Sequence, residues 1–167
     1  MTRIRVTLKK MKEKIYLDAS VPSAYFDDRE KNRQKITQKW WKEVLFNKYE
    51  VYISEVVESE LGDTKDIKRR QELLELVEDI KSLELTQEAE NLARVYIDNE
   101  VIPEEYPDDA VHLAIATLNG IELVVSWNFV HLVNHETKRK VKAINLLQGY
   151  REIEIESPLE LGGGEYV

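Results

Sequence analysis

Residues 107–126, PDDAVHLAIATLNGIELVVS, indicate the fold more clearly than any other part of the chain. Two acids in the first turn suit a helix, because the helix dipole favours negative charge there, and Gly120 then ends it. The run IELVV at 121–125 is short, apolar and not alternating, as expected of a strand buried on both faces of a parallel sheet. A helix followed by such a strand predicts an α/β protein.

Further strands are predicted on both sides of this stretch. Residues 14–18 (KIYLD) and 49–53 predict buried strands, whereas residues 152–156 (EIEIE) alternate as an edge strand does. Ser20, as a cap, and Pro22 open a first helix. Further helical patterns lie at residues 29–46, 54–61, 64–80, 86–96 and 135–147. Because strands alternate with helices, we expect a mostly parallel central sheet flanked by helices on both faces.

The length of 167 residues suits one domain, which we place at residues 14–160. Residues 1–13 are polar without a sustained period, and we interpret them as an N-terminal extension with Met11 as a candidate start. Residues 161–167 contain a glycine triplet and are expected to form a mobile tail.

Composition excludes several classes of site. Cysteine is absent, so the chain has no disulfide, thiolate metal site or cysteine nucleophile, and a reducing cytoplasm suits it. No signal-peptide pattern is visible, and no run approaches the roughly 20 apolar residues of a membrane helix. The net charge of −8 alone argues against a nucleic-acid partner. A site for divalent cations must itself be acidic, however, and the bound metal inverts the local sign.

Polar side chains follow the predicted strands, where ligands bind in open α/β sheets. Because the carboxyl ends of parallel strands meet at one edge, these side chains should converge although they are far apart in sequence. They are Asp18 and Ser20 after the first strand, Ser54 and then Glu60 after the second, and Ser126 and Asn128 after the third, with Asp108 and Asp109 opening the preceding helix.

Carboxylate, amide and hydroxyl oxygens are the ligands that Mg2+ and Mn2+ prefer, so this set predicts a divalent-metal site. Each residue taken alone has an ordinary structural interpretation. Asp18 suits a helix cap, Glu60 a solvated helix position, and Asn128 a turn. Asp108 and Asp109 suit the helix dipole, and His112 and His131 suit hydrogen-bonded packing positions. Asp108 and His112, which shares a helix face with Asp109, are weaker candidates for the site. The tryptophans at 40, 41 and 127 are expected in the core rather than as base-stacking platforms.

Four segments in order resemble the motifs of PIN domains. YLDAS at 16–20 resembles the opening strand, and ISEVVESEL at 53–61 resembles the second motif and selects Glu60 as its acid. DAVHLAIA at 109–116 resembles the third motif and selects Asp109 over Asp108. LVVSWNFVHLVN at 123–134 resembles the fourth, and residues 144–161 resemble the tail of one branch related to VapC-type toxins. The likeness covers residues 14–160.

The resemblance implies a Rossmann-like PIN fold and a Mg2+- or Mn2+-dependent ribonuclease, with Asp18, Glu60 and Asp109 as metal-binding acids and Ser20 and Ser126 as supporting residues. It also implies a homodimer and, for toxin-type members, a small antitoxin partner. Many PIN domains carry Asp in the fourth motif where this chain has Asn128, whose amide offers an oxygen but no charge. Two alternatives stay open: a catalytically weak or inactive module that binds RNA or protein, and a DNA-directed nuclease.

Overall fold

A computed structural model describes residues 11–163. Its strands are β1 (Glu13–Leu17), β2 (Tyr49–Ser54), β3 (Lys81–Leu83), β4 (Leu123–Val125) and β5 (Glu154–Glu156). They form one sheet in the order β3-β2-β1-β4-β5, and every neighbouring pair is parallel. The predicted α/β architecture with a parallel central sheet is therefore confirmed, and residues 154–156 form an edge strand as expected.

The helices follow the strands along the chain. They are α1 (Ser20–Phe26), α2 (Lys31–Trp40), α3 (Phe46–Lys48), α4 (Glu55–Gly62), α5 (Ile67–Val77), α6 (Gln87–Asp98), α7 (Pro107–Leu118) and α8 (His135–Leu147). A wider, π-helical turn at Trp41–Leu45 joins α2 to α3, and a kinked turn lies at Leu159–Gly163.

The central strands are covered on both faces, as the apolar runs predict. In β1, the consecutive residues Ile15, Tyr16 and Leu17 are all fully buried although they point alternately to opposite faces. In β4, Val124 and Val125 are likewise fully buried. Helices therefore pack on both sides of the sheet, and the core extends through its two faces. All three tryptophans lie in this core, which confirms their predicted place.

Three details differ from the sequence-based expectations. Ser20 does not cap α1: Ala19 occupies the cap position, and Ser20 is the first helical residue. The helix expected at 29–46 begins at Lys31 and changes to the wider turn at Trp41. β3 was not predicted, because its three residues are exposed or half-buried and lack an apolar run.

The first and last described residues can be compared with the predicted limits of the domain. β1 begins at Glu13, so the last residue of the expected N-terminal extension already belongs to the sheet. Residues 1–10 of that extension and residues 164–167 of the expected tail lie outside the described residues. Within the described range, no helix has the length and apolar character needed to span a membrane.

Candidate active site

The polar residues expected to converge lie where the strand order reverses. β1 pairs with β2 on one side and with β4 on the other, so successive strands are added in opposite directions from this point. Beyond the ends of β1 and β4, the backbone N–H of Asp18 donates to the carbonyl of Val125 over 3.2 Å. Such a reversal opens a crevice at the carboxyl ends of parallel strands, which is the usual ligand site in this architecture.

Asp18 directly follows β1 and is only 4% exposed. Its Oδ1 accepts hydrogen bonds from the Ser20 backbone N–H at 3.0 Å and from the Ser20 hydroxyl at 2.5 Å. Its Oδ2 accepts from the Ser126 hydroxyl at 2.5 Å. Burial raises the pKa of Asp18 above its usual value, and the charge of Asp109 adds to this, against the lowering effect of His112 and the serine hydrogen bonds. Ser20 and Ser126 thus orient this carboxylate.

Asp109 lies in the first turn of α7, which Pro107 begins. Its Oδ2 accepts from Nδ1 of His131 at 2.9 Å and from the side-chain amide of Asn128 at 3.2 Å. Oδ1 accepts no hydrogen bond from the described residues. Burial raises the pKa of Asp109, and the charge of Glu60 raises it further, while the His131 hydrogen bond lowers it. Protein side chains therefore position Oδ2 of this carboxylate, and Oδ1 is left for a ligand.

Glu60 is oriented by a chain of hydrogen bonds that begins at the end of β2. The Ser54 hydroxyl accepts from the backbone N–H of Val57 and lies 2.7 Å from the Tyr16 hydroxyl. That hydroxyl lies 2.6 Å from Nδ1 of His112, whose Nε2 lies 2.9 Å from Oε1 of Glu60. In one consistent arrangement, the Ser54 hydroxyl donates to the Tyr16 hydroxyl, which donates to Nδ1 of His112. The proton of the imidazole is then on Nε2, which donates to Glu60.

His112 is both a buried packing residue and a partner of Glu60. Burial disfavours its charged form, yet the hydrogen bond to Glu60 and the charges of Glu60, Asp18 and Asp109 raise its pKa above the usual value. The sequence favours a packing position for His112 and leaves it as a weaker candidate for the site, on the same helix face as Asp109. The spacing was the usable signal, because residues three apart share one side of a helix.

Asn128 and His131 hold the loop after β4 against Asp109. The amide oxygen of Asn128 accepts from the backbone N–H of His131 at 3.0 Å, and its NH2 group donates to Asp109. One lone pair of this oxygen, which the sequence analysis offers as an uncharged ligand, is thus used to close a turn. The imidazole of His131 also stacks at 4.2 Å on the ring of Tyr106. Sequence reasoning gave His131 no site role, because its contact with Asp109 spans residues distant in sequence.

The structure separates the two neighbouring aspartates. Asp109 turns inward, whereas Asp108 is exposed and forms no hydrogen bond with a described residue. Both still line an open cleft of about 350 Å3. The other residues lining this cleft are Glu60, Glu105, Tyr106, Pro107, Asn128 and His131.

The donor chemistry of this site suits an oxygen-preferring divalent cation, and buried carboxylates with raised pKa values benefit from one. Within the described range, no three acidic or histidine side chains converge closely enough to hold an ion jointly as they stand. Mg2+ commonly binds through one or two carboxylates and keeps several waters. Asp18 and Asp109 therefore fit such an ion, while Glu60, turned toward His112, lies beside them.

Several solved structures share this fold. VapC20 from Mycobacterium tuberculosis, described as a sarcin-ricin loop cleaving toxin, is 15% identical, with a TM-score of 0.54 over 83% of this chain and 98% of that one. DNA-bound VapBC from Salmonella typhimurium is 15% identical, with a TM-score of 0.55 over 87% and 98%. FitAcB from Neisseria gonorrhoeae is 14% identical, with a TM-score of 0.53 over 86% and 97%. At these identities the likeness concerns the fold.

Sequence comparison identifies the family. No curated protein matches the chain significantly. The family model of the PIN domain matches residues 15–128, which include Asp18, Glu60, Asp109 and Asn128. The match covers most of the chain and contains the first three of the four segments, together with residues 123–128 of the fourth. The chain belongs to the PIN-domain family.

Proposed function

We propose that this protein is an endoribonuclease that hydrolyses RNA phosphodiester bonds with Mg2+ or Mn2+. The observation that carries the proposal is that Asp18, Glu60 and Asp109 come from separate segments of the chain, yet the charge of Asp109 raises the pKa of Asp18 and the charge of Glu60 raises that of Asp109, at the point where the strand order reverses. Membership of the PIN-domain family and the shared fold with VapC-type toxins support the nuclease class. Asp18, Glu60 and Asp109 are the proposed metal-binding acids.

Each side chain has a role that follows from its contacts. A bound divalent cation would neutralise phosphate oxygens and make water easier to deprotonate. Ser20 and Ser126 hold the Asp18 carboxylate in one orientation, and His131 and Asn128 do the same for Asp109. Asn128 also places an uncharged group against Asp109 where a further carboxylate would repel it. We therefore assign Asn128 a positioning role in catalysis.

The proposal predicts cleavage that depends on metal. A mixed RNA pool incubated with the purified protein should be cut in Mn2+, left intact in EDTA, and cut again once excess Mn2+ is restored, because the acids act through the cation. Single-stranded DNA of matched sequence should be cut much less. Cleavage that continues in EDTA would contradict the metal site, and equal cleavage of the DNA would favour the DNA-directed alternative.

A second candidate function is a binding module without catalysis. It is favoured by the side-chain arrangement, in which Glu60 and Asp109 both turn to histidines rather than to a common point. In that case the protein would bind RNA or a partner but cut neither RNA nor DNA in Mn2+. The same assay distinguishes the two functions, since only the nuclease produces fragments that disappear with EDTA.

We further propose that the protein acts in the cytoplasm, as a homodimer, and as the toxin of a toxin–antitoxin pair. The VapBC and FitAcB structures that share the fold support a small antitoxin partner. A second cleft of about 990 Å3 adjoins the site. Its lining has more acidic than basic side chains, Glu105 among them, together with the exposed Val130. A basic segment with apolar anchors suits this surface. Such a partner should suppress RNA cleavage in the assay. A partner that binds the protein without lowering cleavage would contradict an antitoxin role.

A further inference from the structure

A cationic and aromatic patch lies next to the acidic site. The guanidinium of Arg33, on α2, lies 4.9 Å from the ring centre of Trp127 and 5.9 Å from that of Phe129. The two rings meet edge to face at 6.0 Å. Trp127 is 5% exposed, whereas Phe129 is 41% exposed. The patch thus consists of the buried Trp127 ring, the Arg33 guanidinium that lies over it, and the neighbouring Phe129 ring, which is open to solvent.

The patch is fixed relative to Asp18 by hydrogen bonds. The backbone N–H of Trp127 donates to the Ser20 hydroxyl at 2.8 Å, and that hydroxyl binds Asp18. The indole N–H donates to the Thr37 hydroxyl at 2.9 Å, one turn beyond Arg33 on the same helix. Any ligand held by the patch would therefore sit at a constant offset from the Asp18 carboxylate.

The charge of Arg33 is not neutralised by the described part of the chain. Arg29, Arg69 and Arg94 each pair with a carboxylate, whereas Arg33 forms no ion pair with a described residue. This matters in a protein of net charge −8, where a polyanion approaching the acidic site meets repulsion. Arg33 supplies a positive charge held in place by aromatic rings, which suits a phosphate group.

We propose that Arg33, Trp127 and Phe129 form a subsite for single-stranded RNA, in which Arg33 binds a backbone phosphate and Phe129 stacks on an adjacent base. The inference rests on the proposed ribonuclease function and extends it to a region of the strand beside the cleaved bond. Stacking tolerates every base, so the subsite contributes affinity and strand position rather than sequence recognition. Trp127 takes no direct part in stacking and holds Arg33 in place.

Binding measurements separate this subsite from the nuclease activity. A short fluorescent oligouridine, and an abasic ribose–phosphate strand of equal length, are titrated with the protein in EDTA, so that no metal-dependent cleavage occurs. The variants are Arg33→Gln and Phe129→Leu. The matched control is Lys48→Gln, which also removes a cation stacked on an aromatic ring, at 5.4 Å from Tyr49, but at the amino end of β2. Melting curves check that each variant is folded.

Arg33→Gln should weaken binding of both strands and reduce the dependence of log affinity on log salt by about 0.7, the contribution of one phosphate contact in single strands. Phe129→Leu should weaken oligouridine binding roughly 5- to 100-fold and leave the abasic strand unchanged, since only stacking is lost. Lys48→Gln should bind as the parent does. Three results would overturn the subsite. Arg33→Gln could bind both strands as tightly as Lys48→Gln does, or Phe129→Leu could weaken the binding of both strands equally. The third is a folded parent that binds neither strand. Metal-dependent cleavage would stand in each of these cases.

Discussion

Asp109→Asn is expected to lower RNA cleavage roughly 100-fold or more, since several kcal/mol of transition-state stabilisation depend on the metal site. The substitution keeps the shape of the side chain and one oxygen able to accept from His131. It removes the charge that the proposed cation requires. Because that charge is desolvated and close to Glu60, its loss should not unfold the protein. Initial cleavage rates in Mn2+, with circular dichroism spectra, measure both effects.

Asp108→Asn provides the matched control. Asp108 occupies the same turn of α7 and contributes the same favourable interaction with the helix dipole, but its side chain is exposed. Its amide variant should cleave RNA at a rate close to that of the parent. An Asp109→Asn protein that cuts as well as Asp108→Asn would show that Asp109 does not bind the catalytic metal.

Asn145→Ala is expected to lower the free energy of unfolding by about 2–4 kcal/mol, because it leaves buried polar groups without partners and opens a cavity. Asn145 is fully buried on α8. Its Oδ1 accepts from the Tyr96 hydroxyl of α6 at 2.5 Å, and its NH2 group donates to the Thr117 hydroxyl of α7 at 3.2 Å and to the Arg151 carbonyl at 3.3 Å. One amide thus joins three helices. Burial raises the pKa of Tyr96 to about 12, so its hydroxyl stays protonated and needs an acceptor.

Urea unfolding of the metal-free protein measures this effect. Asn91→Ala on α6 is the control, because Asn91 is exposed and, among residues 11–163, its side chain accepts from Gln87 of the same helix alone. That variant should change the free energy of unfolding by less than about 0.5 kcal/mol. Tyr96→Phe in the Asn145→Ala background should cost less than in the parent, since the hydrogen bond from the Tyr96 hydroxyl to Asn145 is already lost there. Equal destabilisation by Asn145→Ala and Asn91→Ala would exclude the helix-joining role.

The fold could be predicted where a local pattern carries information about the tertiary environment. The apolar run before Ser126 predicts a strand buried on both faces, and Gly120 predicts the end of α7, where it takes a positive φ of 66°. β3 has no such pattern, because two of its three residues are exposed and its register is set by pairing with β2. The wider turn after Trp40 was also unpredictable, since a continuous helical pattern passes through it.

The site could be predicted in part for a related reason. Strand ends and helix starts are visible in sequence, so Asp18 and Asp109 could be placed at one edge of the sheet. The contacts that orient them are long-range: His131 reaches Asp109 across 22 positions and His112 reaches Glu60 across 52. No local spacing encodes those distances. The contact from Asn128 to His131 spans three residues, so the turn that it closes could be recognised in the sequence, although the contact of His131 with Asp109 could not.

The central claim is that the carboxylates at the crevice bind a divalent cation, and Mn2+ binding measured by isothermal titration calorimetry tests it most directly. The parent and Asp108→Asn should bind Mn2+ with similar affinity, and Asp109→Asn should bind it more than about tenfold more weakly, because a ligand is lost. The affinity of the parent for Mn2+ should fall as the pH is lowered, because protons compete with the cation for Asp18 and Asp109, whose pKa values are raised in the metal-free protein. A folded parent that binds no Mn2+, or an Asp109→Asn variant that binds it as tightly as the parent, would contradict the account.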